Sequence, residues 1–486
     1  MTADLATITG IEVPTGLLIG GHWSSGRAGT LPVIDPATEA PVSEVADASP
    51  EDALDAVSAA ADALPRWAAT PPRQRGECLR RAFELMTERS EQLARLMVLE
   101  NGKALRDARG EVLYAAEFFR WYSEEAVRLD GSLSVAPSGA HRIMVAHQPV
   151  GVSYLITPWN FPAAMATRKI GPALAAGCTM VLKPASDTPL TALALARLLA
   201  AAGVPDGVVN VLPARRSGAV VSAMLHDDRV RKLSFTGSTE VGRVLLREAA
   251  DRVLNVSMEL GGNAPFLVFA DADLDTAVEG AMIAKMRNAG EACTSANRFY
   301  VQAPVAEEFA GRLARRMSAL KVGAGTDTGV QVGPLVNRDA VDKVEELVRD
   351  AVARGAVVAT GGGRPETKGC FYEPTVLTDV PADATLLREE IFGPVAPVVS
   401  FDTEDEAIQL ANDTEYGLVA YLYTGDLARG LRVSERLEAG MIGLNRGLVS
   451  DPAAPFGGVK QSGIGREGGQ EGILEYLEAT YVAVSW

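Results

Sequence analysis

The sequence predicts an α/β protein built on parallel sheets, and three observations carry that reading. Strand-like and helical patterns alternate from Val150 to Ala250. The strand starts fall roughly 25 to 30 residues apart, the spacing of βαβ units. The chain has 486 residues, 47% of them hydrophobic, which is enough for several cores rather than one.

Helices come first. Ser49-Pro50-Glu51 reads as an N-cap with proline at the first helical position, opening an alanine-rich helix to about residue 64. Leu79, Phe83, Met86, Leu93 and Leu96 share one face of a helix predicted over 72–99. A third helix is predicted over 104–128. Residues 131–149 change to Ser, Pro and short alternations, the pattern of a hairpin. Strands then follow at 150–157, 179–182, 208–212 and 232–236, separated by helices at 162–175, 190–202, 218–225 and 239–250. A second series starts with a strand at 264–269 and continues through helices at 274–290, 304–320 and 340–353. The tail alternates, with Val482, Val484 and Trp486 on one face, and is predicted as an edge strand.

Composition removes whole classes of function. The 62 acidic residues outnumber 46 basic ones, giving a net charge of −16, whereas nucleic-acid binding needs a basic face. Four scattered cysteines (Cys78, Cys178, Cys293, Cys370) do not make a disulfide scaffold and fit a reducing compartment. The opening MTADLATITG lacks the marks of a signal peptide, and the charge-free stretch 170–182 is far below the roughly 20 residues of a membrane span. The expectation is a soluble cytoplasmic protein with neither nucleic acid nor membrane as partner.

The chemistry is narrowed the same way. His22, His141, His147 and His226 stand at no metal-binding spacing, so no metal site is expected. There is no GxSxG elbow, and Gly102-Lys103 is followed by Ala104 without the upstream glycine of a phosphate loop. A nucleophile here would work with a carboxylate rather than a histidine. Cys293 lies among small residues between Arg287 and Arg298, which leaves both a catalytic thiol and a buried free cysteine open. Glu259 ends an apolar strand before two glycines; it is either a solvated turn residue or a desolvated general base. Gly237-Ser238 opens a helix after a strand, as a phosphate-binding turn or a plain helix cap does.

Seven motifs in one order settle these alternatives. They are Ile156-Thr157-Pro158-Trp159-Asn160-Phe161-Pro162, Lys183-Pro184-Ala185, Phe235-Thr236-Gly237-Ser238-Thr239, Glu259-Leu260-Gly261-Gly262, Gly290 with Cys293, Glu389-Glu390-Ile391-Phe392-Gly393-Pro394, and Pro455-Phe456-Gly457-Gly458. From about Gly21 to the C-terminus the chain resembles the aldehyde dehydrogenase superfamily. The resemblance implies a Rossmann-like cofactor domain (1–130 and 150–258), an α/β catalytic domain (259–470) and a small β oligomerisation unit (131–149 and 471–486) of a homodimer or homotetramer.

It also implies roles. Cys293 matches the nucleophile, Asn160 the oxyanion donor and Glu259 the base that activates water. Thr157, Pro158, Trp159, Lys183, Ser186, Gly237, Ser238, Leu260, Glu390 and Phe392 match positions around a nicotinamide dinucleotide. NAD-preferring members often carry Glu where Ser186 stands, and Arg215 or Arg216 lies near the adenine, so NADP is expected to be used at least as well as NAD. The likeness is greatest to succinate semialdehyde dehydrogenases, in which the residues matching Arg168, Arg287 and Ser450 hold the substrate's distal carboxylate. A broad aliphatic or a glutarate semialdehyde dehydrogenase is the alternative. Two departures stand out: Ser295 replaces a second cysteine found in some members, and Glu291 replaces the usual Gln, placing a negative charge near the thiol.

Overall fold

The computed structural model describes residues 5–485. Among these, one sheet has the spatial order His22–Ser24, Leu17–Ile19, Val209–Val211, Thr179–Lys183, Val152–Ile156, Val230–Thr236, Asn255–Glu259 and Gly463–Ile464. The inner five strands are parallel and both flanks antiparallel. Numbered along the chain, those five strands lie in the order 3-2-1-4-5. The order reverses between Val152–Ile156 and Val230–Thr236, so a crevice opens beyond their carboxyl ends. Those ends carry the segments starting at Thr157 and Gly237.

A second sheet runs Val357–Thr360, Thr375–Thr378, Val395–Phe401, Ala296–Gln302, Ala264–Val268, Val419–Tyr423 and Met441–Leu444. It is parallel except for its first pair. The predicted hairpin forms from Ser132–Val135 and Arg142–Pro149, and the tail strand Leu477–Val484 pairs along the other edge of Arg142–Pro149. Trp486 lies outside the described residues. Gly463–Ile464 joins the first sheet although it falls within the stretch 259–470 read as catalytic.

Most helices form where the pattern places them. Ser49 caps Pro50–Ala68 in a reciprocal capping box with Asp52, and Ser238 caps Thr239–Ala250. Two predictions are corrected. The helix expected over 72–99 divides into Pro72–Glu88 and Ser90–Asn101 at Arg89 (φ −110°). The bend lets the second piece bury every residue from Leu93 to Asn101 except Arg95, whereas the first buries one face. The helix expected over 274–290 ends at Met286, because Asn288, Ala289 and Gly290 all take left-handed conformations. Among the described residues no helix is long and apolar enough to cross a membrane, and no His/Cys/Asp/Glu cluster is arranged to hold a metal.

Candidate active site

The crevice at the strand-order reversal holds a cavity of about 370 Å³. Pro158, Trp159 and Asn160 reach it from one strand end and Gly237 and Ser238 from the other, with Leu260, Cys293, Glu390 and Phe392 arriving from the second half of the chain. The Trp159 and Phe392 rings meet edge to face, 5.3 Å apart. Thr236 also lines the cavity, and its buried hydroxyl has no protein partner among the described residues.

The nucleophile candidate is presented by a strained loop. After Met286 the chain turns back through Asn288 (φ 53°), Ala289 (φ 54°) and Gly290 (φ 82°). A methyl on Gly290 would lie 2.2 Å from the Gly393 carbonyl oxygen, so this position admits only glycine without displacement. The turn is closed by Asn288 Nδ2, which donates to the Glu291 and Asn160 carbonyls at 3.0 Å each. Asn160 Nδ2 donates to the same Glu291 oxygen at 3.1 Å, tying the oxyanion candidate to the nucleophile loop.

Burial pushes the Cys293 thiol up to about 12, Arg168 and Arg287 opposing it and Glu390 and Glu259 adding to it. The resting side chain is therefore the thiol, and attack on a carbonyl requires its proton to leave. Burial, and then the charge of Glu467, drives Glu259 well above the usual carboxylate range. Its carboxyl fits because Gly457 has no side chain; a methyl there would lie 2.9 Å from Glu259 Oε1. Burial likewise lifts Glu390 to about 7, against a 3.2 Å hydrogen bond from the Gly262 amide.

Glu291 behaves otherwise than its sequence position suggests. Burial lifts its carboxyl to about 8 and Oε1 accepts from the Val336 amide at 3.0 Å, so near neutral pH it is mostly uncharged and adds little negative field at the thiol.

The three expected carboxylate-binding residues separate. Arg168 is fully buried in helix Pro162–Ala176, stacked 4.2 Å from the Phe456 ring centre, with its charge paired to Glu467. Arg287 makes no ion pair within 4 Å among the described residues; it lies over the Tyr114 and Phe161 rings and its Nη1 donates to Ser450 Oγ at 3.4 Å. Arg287 also lines a further cavity of about 440 Å³.

The sequence from residue 23 to residue 482 matches the Aldehyde dehydrogenase family. The chain belongs to that family. It is 58% identical over 441 residues to a succinate-semialdehyde dehydrogenase of Paenarthrobacter nicotinovorans, covering 91% of this chain and 98% of the relative. To a glutarate-semialdehyde dehydrogenase of Pseudomonas putida it is 51% identical over 468 residues, covering 96% and 97%. The crystal structure of an Escherichia coli NADP-dependent enzyme superposes with a TM-score of 0.96 at 50% identity, covering 98% of each chain.

For a family member, several residues lie away from the main cavity. Thr157 is buried at the end of its strand and its amide donates to the Lys183 carbonyl. Lys183 donates to the Pro184 carbonyl at 2.9 Å, and burial lowers it to about 8. Ser186 lines a neighbouring cavity of about 490 Å³ with Arg215, whereas Arg216 is exposed at the start of helix Ser217–Leu225 and lines neither. Of the two arginines, Arg215 is the one that shares a cavity with Ser186.

Sequence reasoning gave no role to Lys169 or Glu467. Lys169 Nζ donates to Glu467 Oε1 at 2.6 Å and to Ser234 Oγ at 2.8 Å, so one buried carboxylate takes two cations and sits beside Glu259. One signal was available: two adjacent basic residues in a helix buried on every side must have a partner.

Proposed function

We propose that this enzyme oxidises succinate semialdehyde to succinate through a cysteine-bound thioester, with NADP or NAD as oxidant. The observation that carries the reading is the convergence of Cys293, Asn160, Gly237-Ser238 and Glu390 on one cavity, with Arg287, which makes no ion pair among the described residues, acting on the thiol and bonded to Ser450. Asn160 has one amide hydrogen engaged with Glu291 and a second left for the cavity it lines, where it donates to the alkoxide formed as Cys293 Sγ bonds to the carbonyl carbon. A nicotinamide dinucleotide, when bound, supplies the hydride acceptor. Gly237, Ser238 and the amides of a 12-residue helix would hold its phosphates, Glu390 its nicotinamide ribose, and Lys183 with Ser186 its adenosine ribose. The Thr236 hydroxyl, buried without a partner among the described residues, fits a polar group arriving there. Glu259, a strong base once ionised, takes a proton from the water that cleaves the thioester.

The same reading makes the protein a cytoplasmic homo-oligomer whose Rossmann-like, catalytic and small β units follow the division given above. Ser186 in place of a carboxylate, with Arg215 in the same cavity, supports NADP. Glu39, which pairs with Arg338, Asp187 and the buried Glu100 are the carboxyl groups that oppose this in the same cavity. Ser186→Glu should shift kcat/KM towards NAD.

Initial rates with paired aldehydes test the substrate. With Arg168 committed to Glu467, one arginine and Ser450 remain, and a charged hydrogen bond is worth about 1.5–3 kcal/mol. Succinate semialdehyde should therefore exceed butanal by roughly 10- to 150-fold in kcat/KM, and Arg287→Ala should remove most of the gap. Equal use of butanal would make the protein a general aliphatic aldehyde dehydrogenase. Better use of the five-carbon semialdehyde would favour glutarate semialdehyde, the substrate named for the Pseudomonas relative.

A further inference from the structure

Lys103 and Glu111 have no part in the chemistry above, yet both side chains are completely buried and paired with each other. Removing two charges from water is costly, and such a pair holds only where further hydrogen bonds satisfy it. Lys103 Nζ donates to Glu111 Oε2 and, at 2.7 Å, to the Asn160 carbonyl oxygen, and it lies 4.4 Å from the centre of the Phe161 ring. Glu111 Oε1 accepts from the amides of Ala163 and Ala164 at 2.9 and 3.2 Å, in the first turn of helix Pro162–Ala176. The cation thus holds the carbonyl before Phe161 and the anion holds the amides after it. Between them the Asn160 side chain is fixed on both ends: Oδ1 accepts from the Phe161 amide and Nδ2 donates to Glu291, each at 3.1 Å. The turn bearing Lys103 is itself anchored, since the Leu105 amide donates to the Gly325 carbonyl at 3.1 Å.

We propose that the buried Lys103–Glu111 pair is a positioning device for the oxyanion donor, holding Asn160 so that its remaining amide hydrogen meets the alkoxide on Cys293. The proposal rests on the reading of Asn160 as that donor. A misplacement of the donor costs rate in the first chemical step, while aldehyde and cofactor affinity stay near wild type.

A double-mutant cycle tests it, using single-turnover formation of reduced cofactor with the holoenzyme in excess over succinate semialdehyde. Asn160→Ala should slow the first turnover roughly 100- to 1,000-fold. Lys103→Met should slow it about tenfold or more in the wild-type background and less than about threefold in the Asn160→Ala background, because two residues acting through one contact are not additive. KM for the aldehyde and the cofactor dissociation constant should move less than about twofold in Lys103→Met. Equal slowing in both backgrounds, or none in either, overturns the positioning role. A wild-type first turnover in Asn160→Ala instead overturns the oxyanion reading beneath it. If Lys103→Met does not fold, the paired Lys103→Met, Glu111→Gln variant removes both charges together and goes through the same cycle with the same criteria.

Discussion

Cys293 and Glu259 are each shifted towards the protonated form by the burial that makes them reactive. The thiol stands at about 12, and Glu259 is driven up by burial and by Glu467. Because burial and Glu467 disfavour the carboxylate, Glu259 ionises at higher pH than an ordinary glutamate, so thioester hydrolysis should accelerate with rising pH, and Glu259→Gln should abolish that rise in kcat. The same variant should give a first burst of reduced cofactor and then little turnover, whereas Cys293→Ala should give no burst while still binding cofactor. Turnover of Glu259→Gln at the wild-type rate would assign the hydrolysis to another base. Glu291 gives a second pH test. Its folded value of about 8 lies above the ordinary 4.5, so its contribution to stability is full below the unfolded value and is lost as pH rises through 8. Glu291→Gln keeps the acceptor for the Val336 amide and removes the titration. Wild type should lose roughly 2–3 kcal/mol more stability than the variant between pH 6 and 9, at 1.36 kcal/mol per pH unit. Parallel denaturation curves across that range would mean that Glu291 is ionised in the native protein.

The nucleophile loop is the element in which local conformation matters most. Ala289 holds φ 54°, a region that costs a residue with a side chain about 1–2 kcal/mol. Ala289→Gly should therefore raise the melting temperature or leave it unchanged. Gly290→Ala should lower both stability and kcat, because its methyl meets the Gly393 carbonyl. A fully active Gly290→Ala would mean that the loop yields freely. This loop also marks the boundary of what the sequence makes legible. Helix Thr239–Ala250 occupies the residues that its pattern and its Ser238 cap indicate. The helix before Cys293 stops four residues early, since in 286–290 only Asn288 and Gly290 are residue types that favour left-handed backbone, and Ala289 between them gives no such signal. The bend at Arg89 is likewise silent, because hydrophobic periodicity continues across it. The site divides in the same way. Residues in contiguous motifs, such as Asn160, Gly237 and Glu390, could be named beforehand. Glu467, in contact with Lys169 across 298 residues of sequence, is joined to it only by packing.

For the whole molecule, the small antiparallel sheet sets the requirement. Leu133, Met144 and Val482 stand opposite one another on its three strands, so they form one apolar row across a single face. They are 66%, 41% and 38% exposed in the single chain. Val135, two residues along the same edge strand, extends that row and is 53% exposed. A contiguous apolar row of this kind on a thin sheet is unfavourable in water and is the kind of surface that another protein covers. Among the described residues no strand pairs with the free edges of the two outer strands, which makes them a template for strand addition. A second copy of the chain offers matching edges and the same apolar row, which a symmetric interface uses twice. If the proposed homo-oligomer uses this row, replacing Leu133 and Met144 together by Glu would place at least four buried carboxylates in each two-fold contact. Sedimentation across a dilution series should show the doubly substituted protein dissociating at concentrations at least about tenfold higher than wild type, for a cost of 1.4 kcal/mol or more. The far-ultraviolet spectrum should not change, because both side chains are exposed in the single chain. If the variant keeps the wild-type mass at every concentration, the row is not the contact and assembly uses another face.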